Sequence, residues 1–296
     1  MKTTYLFAIF LLISSFSFGQ DDLLDVLEEE TTTEPTYTYA TFKGSRLING
    51  HTIETRGKNE LEFLISHRFG PVSGGGYELF GLDQANIRLG LSYGINDRLT
   101  VGLGRSSFEK TYDGYLKYRL LRQASGGKNT PLSITLFGSA TYITLRDPIY
   151  ETASNRMAYT TQALIARKFS PVFSLQLMPT YIHFNLTTTT QLDSDIFALG
   201  IGGRYKFTRR VSINLEYYPR LNATSKIYYD AFAVGFDIET GGHVFQIHVT
   251  NSRPMIEKGF IAETTEDFFA GDMRIGFNIS RSFVFGKKYR KKQQWD

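Results

Sequence analysis

Over residues 59–285 the chain alternates apolar and polar side chains with a period of two, in segments of roughly nine to thirteen residues separated by turn chemistry. No run after the N-terminus approaches the ~18 apolar residues that a helical membrane span needs. Successive side chains of a strand point to opposite faces, so each segment has one apolar face to bury and one polar face. The first two apolar faces are Leu61/Phe63/Ile65/His67/Phe69 and Ile87/Leu89/Leu91/Tyr93/Ile95. Further sets start at Leu99, Leu116, Ile134, Tyr159, Phe173, Phe197, Val211, Phe232, Phe245 and Met273. The pattern predicts twelve strands, almost no helix and an all-β fold.

A soluble sandwich and a membrane barrel both bury one face of every strand, so alternation does not separate them. Three other features favour a single antiparallel transmembrane β-barrel. Tight connections near Asn96-Asp97-Arg98, Phe169-Ser170-Pro171, Thr208-Arg209-Arg210 and Thr240-Gly241-Gly242 take turns with long polar ones at 70–83, 146–155, 185–195, 219–229 and 251–270. Short periplasmic turns and long outer loops produce this pattern. The stretch 122–130 is long for an inner turn, and 106–110 is short for an outer loop. Aromatics, 15% of the chain, gather at strand ends. Tyr112, Tyr115, Tyr142, Tyr159, Tyr181, Tyr217 and Tyr218 belong to one girdle, and Tyr93, Tyr118, Phe173, Tyr205 and Phe236 to the other. The opposite strand faces carry Gly, Ser, Thr, Asn and charges, as a polar lumen requires. An even strand count leaves both termini on the periplasmic side of the outer membrane of a Gram-negative-type envelope.

Before the barrel, residues 1–20 read as a signal peptide: Lys2, an apolar core from Tyr5 to Ile13, then small and polar residues to Gly19. Residues 21–58 form an acidic periplasmic segment, a linker and a short hairpin. Ile48-Asn49-Gly50-His51 carries the Asn-Gly hairpin signal in a run too short to be stable alone. It must pack on something, and the barrel's inner mouth or lumen is nearest. The barrel itself spans 59–286, and 287–296 is a basic periplasmic tail. The acidic segment and the basic tail emerge on one side, where they can pair with each other or with an oppositely charged periplasmic protein.

The strings FKGSRLINGHTIET (Phe42 to Thr55) and YELFGLDQANIRLGLSYGINDRLTVGLGRSSFEKTYDGYLKYRLLRQ (Tyr77 to Gln123) resemble the outer-membrane β-barrel family described as domain of unknown function 5777. The similarity extends from about Phe42 to Phe285. It implies an outer-membrane barrel and brings no catalytic residues.

Chemistry-bearing motifs are sparse. With no cysteine there is no disulfide framework, thiolate metal site or cysteine nucleophile. The five histidines lie on different segments without ligand-like spacing, so no metal and no cofactor are expected. A formal charge of +4 gives no case for nucleic acid. A Ser-His pairing of His183 with Ser252, as a lipid hydrolase would use, lacks a nucleophile elbow and a paired acid.

Charges on the polar phase are more informative, because a charge facing lipid at midplane costs roughly 2–4 kcal/mol. The candidate lumen cations are Arg88, Arg105, Lys117, Arg119, Lys168, Arg204, Lys206 and Arg274; the anions are Glu60, Glu62, Glu216, Asp237 and Glu239. Gln246 and His248 share that phase. By the same logic an Arg introduced at Ser92 or Asn214 should be tolerated where one at Leu89 is not.

Gly276, Phe277, Ile279, Phe283 and Phe285 form an aromatic-ended last strand of the kind the barrel-assembly machinery recognises. Outer-membrane lipid and that machinery are therefore the expected partners. Truncating 287–296 should spare folding, and truncating 280–296 should abolish it. The function expected is a narrow channel or binding receptacle for a small polar solute. The alternative is a docking barrel that anchors a periplasmic or surface complex, with a lipid hydrolase a distant third.

Overall fold

The computed structural model describes residues 34–285 apart from 128, 223–226 and 241. The signal peptide, residues 21–33 of the acidic segment and the basic tail 287–296 lie outside the described residues, as does any pairing between those ends.

Twelve strands form one closed barrel. They are β1 (Glu60–Pro71), β2 (Ala85–Gly94), β3 (Leu99–Ser106), β4 (Thr111–Leu121), β5 (Ser133–Ile143) and β6 (Met157–Lys168), followed by β7 (Phe173–Phe184), β8 (Asp195–Lys206), β9 (Val211–Tyr218), β10 (Ala231–Thr240), β11 (His243–Thr250) and β12 (Arg274–Val284). Each pairs antiparallel with its neighbours in sequence. β12 closes the ring on β1, from Val284 opposite Glu60 to Arg274 opposite Pro71, with a bulge between Arg274 and Gly276. Closure leaves no strand edge unpaired, which is what a sheet in hydrocarbon must achieve. No helix among the described residues is long and apolar enough to cross a membrane.

The period-two phase is realised on both faces. Leu89, Leu136 and Leu215 are 43–46% exposed on the outside, while Ser66, Ser92, Thr135, Gln176 and Asn214 are buried inside. Two girdle assignments are corrected: Tyr115 and Tyr218 point inward and are buried. Each sits one residue out of step with an outward neighbour, Leu116 and Tyr217, and strand parity overrides the tendency of Tyr to sit at a membrane interface.

Both barrel ends emerge at one opening, the terminal mouth, where the connections are short. The exception, 122–132, has a use: Ala124–Ser125 pairs antiparallel with the incoming Thr36–Tyr37. Arg122 also donates from Nε to the Thr38 carbonyl at 2.9 Å and lies over the Tyr39 ring at 3.8 Å. The chain thus crosses the mouth before turning inward.

The lumen is filled. Residues 41–58 enter from the terminal mouth as a hairpin and return to it, with Arg46 opposite His51 and the turn at Ile48-Asn49. Neither Asn49 nor Gly50 has a positive φ, so glycine is not needed here for a left-handed backbone. It is needed for close approach, because a Cβ on Gly50 would stand 1.7 Å from the Tyr218 hydroxyl. From the opposite, long-loop end, the β11–β12 loop folds into the barrel and buries helix α1 (Glu257–Ala262) completely.

The inner wall is not polar all round, contrary to the sequence expectation. On β5–β8 it carries an apolar patch among Thr, Ser and Gln side chains, with Phe137, Leu164, Met178, Ile182 and Ile196 forming one cluster with Phe42, Leu47 and Ile53 of the hairpin and Phe260 and Ile261 of α1. Most of the wall's inward charges lie on the other eight strands, β1–β4 and β9–β12, and the exceptions, Lys168, Arg204 and Lys206, sit at the terminal mouth. The hairpin is therefore amphipathic across its own width, which fixes its rotation in the barrel.

Candidate functional site: the filled lumen

Polar wall side chains converge on the backbone of the hairpin from most of the ring. Glu216 on β9 accepts hydrogen bonds from the N–H groups of Asn49 (2.7 Å), Gly50 (3.2 Å) and Ile48 (3.3 Å). A carboxylate answering three consecutive amides solves two problems at once, since turn amides lack strand partners and a buried carboxylate lacks water. Opposite it, Asn278 on β12 donates to the Ile48 carbonyl at 3.0 Å and to Gln246 Oε1 at 2.6 Å. Gln246 on β11 in turn donates to Asp237 on β10 and to the Leu47 carbonyl. Across the lumen Gln176 on β7 pairs with the returning arm, accepting from Ile53 N and donating to the His51 carbonyl, both at 2.8 Å. Thr135 and Lys117 donate to the carbonyls of Ile53 (2.9 Å) and Glu54 (2.6 Å).

Nearer the terminal mouth, Arg56 joins Glu60 (3.2 Å) and Glu62 (3.4 Å), and Glu62 also accepts from the Ser45 hydroxyl. Lys43 pairs with Glu239, and Lys168 Nζ donates to the Tyr39 carbonyl at 2.9 Å. Arg204, buried, reaches the Thr41 carbonyl at 3.5 Å. Arg119 and Lys206 face the lumen at the same end, half-buried.

At the long-loop end Arg274 pairs with Glu266. His248, 1% exposed, has no hydrogen-bond partner on either ring nitrogen among the described residues.

One candidate is misplaced. Arg105 points outward, exposed, with its guanidinium 5.5 Å from the centre of the Tyr112 ring. It shares parity with Leu99, Val101 and Leu103, so lumen placement would have required a bulge that β3 does not have. Its position at the long-loop rim lets the long side chain reach the interface while the ring covers its face.

Two wall charges escaped the sequence reading. Asp113 holds Arg88 in a two-pronged pair, Nε to Oδ1 at 2.9 Å and Nη2 to Oδ2, both residues buried. Arg68 donates from Nη2 to Asn49 Oδ1 at 2.7 Å and from Nη1 to the Ser252 carbonyl. Parity alone identifies both, because Asp113 keeps step with Lys117 and Arg68 with Glu62.

Besides the apolar cluster, Arg68 is one of two polar links between the hairpin and the inserted loop among the described residues. The other is direct: Arg46 Nη1 stands 2.9 Å from Glu257 Oε1, and His51 Nε2 lies 3.8 Å from the same oxygen. Burial pushes the Glu257 carboxyl above the ordinary carboxylate range against the pull of Arg46. On the next residue, the Lys258 ammonium sits 2.8 Å from both Glu109 and Glu263. Although burial opposes its charge, the two carboxylates hold it above the lysine range. Burial, reinforced by Glu109 and opposed by Lys258, raises Glu263 to about 7. The short β3–β4 loop is thus what presents Glu109 to the buried lysine.

Outside the barrel, at the long-loop rim, Asp195 Oδ1 accepts from the Tyr181 hydroxyl (2.6 Å) and lies 2.8 Å from His183 Nδ1. The acid partner that the sequence did not reveal for His183 is therefore Asp195. Ser252 is buried in the lumen and donates to the Pro254 carbonyl, so the structure does not bring it to His183. No cluster of three or more metal-ligating His, Asp or Glu exists among the described residues. In the last strand, Phe277, Ile279, Phe283 and Phe285 are on the outward phase and Gly276 is inside, where a Cβ would meet His248 Nε2 at 2.4 Å. Phe277 stacks on His67 of β1 at 4.8 Å across the closing seam.

With hairpin and loop in place, the cavity beside Ser45, Glu62 and Asn278 has about 20 Å³ of space, enough for a water molecule and not for a solute.

Residues 42–283 match the family described as a membrane bound beta barrel domain. Among solved structures the chain is similar to the NanC porin, with a TM-score of 0.47 and 9% identity over 76% of this chain and 100% of that one. It is also similar to the KdgM porin (TM-score 0.44, 10% identity, 77% and 99% covered). A third similarity is to outer membrane phospholipase A from Escherichia coli (TM-score 0.44, 9% identity, 83% and 96% covered). No curated protein matches it. At these values the structural similarities bring no activity to this chain.

Proposed function

Since the chain belongs to the membrane-bound β-barrel family of domain of unknown function 5777, we propose that it is an outer-membrane channel for small polar solutes, held closed by its own N-terminal hairpin. The observation that carries this reading is the path of residues 41–58. Both arms of the hairpin lie toward the terminal mouth: Lys43 meets Glu239 and Thr55 meets the β2–β3 turn at Asp97. Its tip at Asn49-Gly50 lies deep, on Glu216 and Arg68. A segment inserted in this way withdraws without being threaded through the barrel. The charged part of the wall that it would uncover binds water in place of the hairpin's backbone, so opening does not strand an apolar surface all round. Twelve strands lie between the ~8 that side chains fill and the ~16 that leave a wide aqueous channel. In this reading the terminal mouth is periplasmic.

Planar-bilayer recording tests it. The mature chain should be largely silent, and a variant lacking residues 41–56 should insert as a folded, heat-modifiable barrel with steady solute-sized conductance. A folded deletion variant that stays silent would favour the docking barrel, with the hairpin serving as a permanent core.

A further inference from the structure

At the terminal mouth the end of β8, the β8–β9 turn and the ends of β9 and β10 enclose a small pocket on which Lys43, Arg204, Lys206, Arg209 and Arg210 converge with Asp237 and Glu239. The two carboxylates already have partners. Asp237 accepts from Gln246, and Glu239 pairs with Lys43. The remaining cations outnumber them: Arg204 feels both carboxylates and Lys206 feels Glu239, but neither forms an ion pair with them. Lys206, Arg209 and Arg210 enter none of the ion pairs among the described residues. Arg204 is 5% exposed, makes one long hydrogen bond to the Thr41 carbonyl, and leaves its Nε buried without an acceptor. An unanswered donor on a buried guanidinium is costly, and it is relieved when an anion supplies the acceptor.

We propose that this pocket is a binding site for one oxyanion group, a carboxylate or a phosphate, taken up between Arg204 and Lys206 on the wall and Arg209 and Arg210 on the turn. The lining suits the assignment. A buried guanidinium gives a fixed donor direction, and the exposed turn cations line the same pocket, where their charge also draws anions from solution. With the side chains as they stand the pocket has about 10 Å³ of space, room for no more than one water, so the oxyanion seats where that water would lie as the exposed side chains of Arg209 and Arg210 swing aside, and the body of a larger ligand stays outside. The site exists with the hairpin seated, so it stands whether or not the hairpin withdraws. Two sources can supply the group. One is a free solute anion, and the other is the chain's own acidic stretch, which carries Asp21, Asp22, Asp25, Glu28, Glu29 and Glu30 upstream of the mouth.

The probe is inorganic phosphate, titrated at constant ionic strength against the refolded mature chain in detergent and followed by ³¹P line broadening, with chloride as the control anion. Saturable broadening in the wild type that weakens by about tenfold or more in Arg209→Gln/Arg210→Gln supports a site for free anions. Saturable binding seen only after removal of residues 21–33, and weakened by the same pair of substitutions, supports the site with the acidic stretch as its resident. The turn substitutions are on exposed residues and leave the barrel wall untouched, so loss of folding does not cloud the result. No saturable binding in either chain, or binding unchanged by Arg209→Gln/Arg210→Gln, overturns the proposal.

Discussion

Arg88 and Asp113 show how a filled lumen changes the value of a charge. Each desolvates the other's neighbourhood, and the pair is tolerable because its hydrogen bonds are well formed. Asp113→Asn should lower stability by about 3–5 kcal/mol, because it leaves a buried guanidinium uncompensated. Arg88→Met/Asp113→Leu should cost much less than that. Urea unfolding of the refolded barrel measures both. A comparison of faces follows the same logic. Leu89→Arg places a charge against lipid and should cost roughly 2–4 kcal/mol. Ser92→Arg no longer counts as a tolerated control, because Ser92 is 5% exposed and bonded to the Tyr115 hydroxyl beside the hairpin. Both variants should therefore reduce folding yield into vesicles. Deleting the hairpin should rescue Ser92→Arg and leave Leu89→Arg defective.

At the scale of elements, the β11–β12 loop carries a pH-sensitive carboxyl. Glu263 is raised to about 7 in the folded chain from an ordinary 4.5. The folded state then holds more protons than the unfolded state between those values, so loop docking is strongest at acid pH and weakens as pH rises through about 7. Hydrogen exchange at α1 should be slower at pH 5 than at pH 8, after correction for intrinsic rates, and Glu263→Gln should remove most of that difference. The strands themselves needed little from tertiary context. Each carries its own alternation and its own turn, and Ser170 illustrates the economy, its hydroxyl accepting from the amides of Val172 and Phe173 to close the β6–β7 turn.

For the whole molecule, the question is whether wall and hairpin unfold together. The wall is a continuous ring of strand pairings, whereas the hairpin is joined to it by side-chain bonds and one apolar face. Local opening should therefore cost less than global unfolding. In urea below the barrel's midpoint, the amides of Leu47, Asn49 and Gly50 should exchange while those of Ile65 and Leu89 stay protected, as read by exchange mass spectrometry of the refolded chain. Equal protection at both sets would make hairpin and wall one cooperative unit and count against withdrawal.

The alternation of Leu61 through Phe69, repeated twelve times, is a local property of the chain. It determined the strand number and the apolar face of each strand without any knowledge of what touches what, and the alternating loop lengths and aromatic strand ends added the barrel class. The same parity was enough to put Glu216, Asp237 and Gln246 on the inner face, and read strictly it would have sent Arg105 outward and Arg68 and Asp113 inward. The Asn-Gly at 49–50 announced a hairpin in search of a surface. What parity leaves undetermined is how the space inside a closed ring is used. The tip of the hairpin meets Glu216 from 166 residues away, and Arg46 meets Glu257 across 211. No period or spacing records such encounters. They exist because closing twelve strands creates an interior too large for the wall's own side chains and too dry to leave buried charges unanswered, and the segments at hand to fill it were the hairpin from one end and a loop from the other.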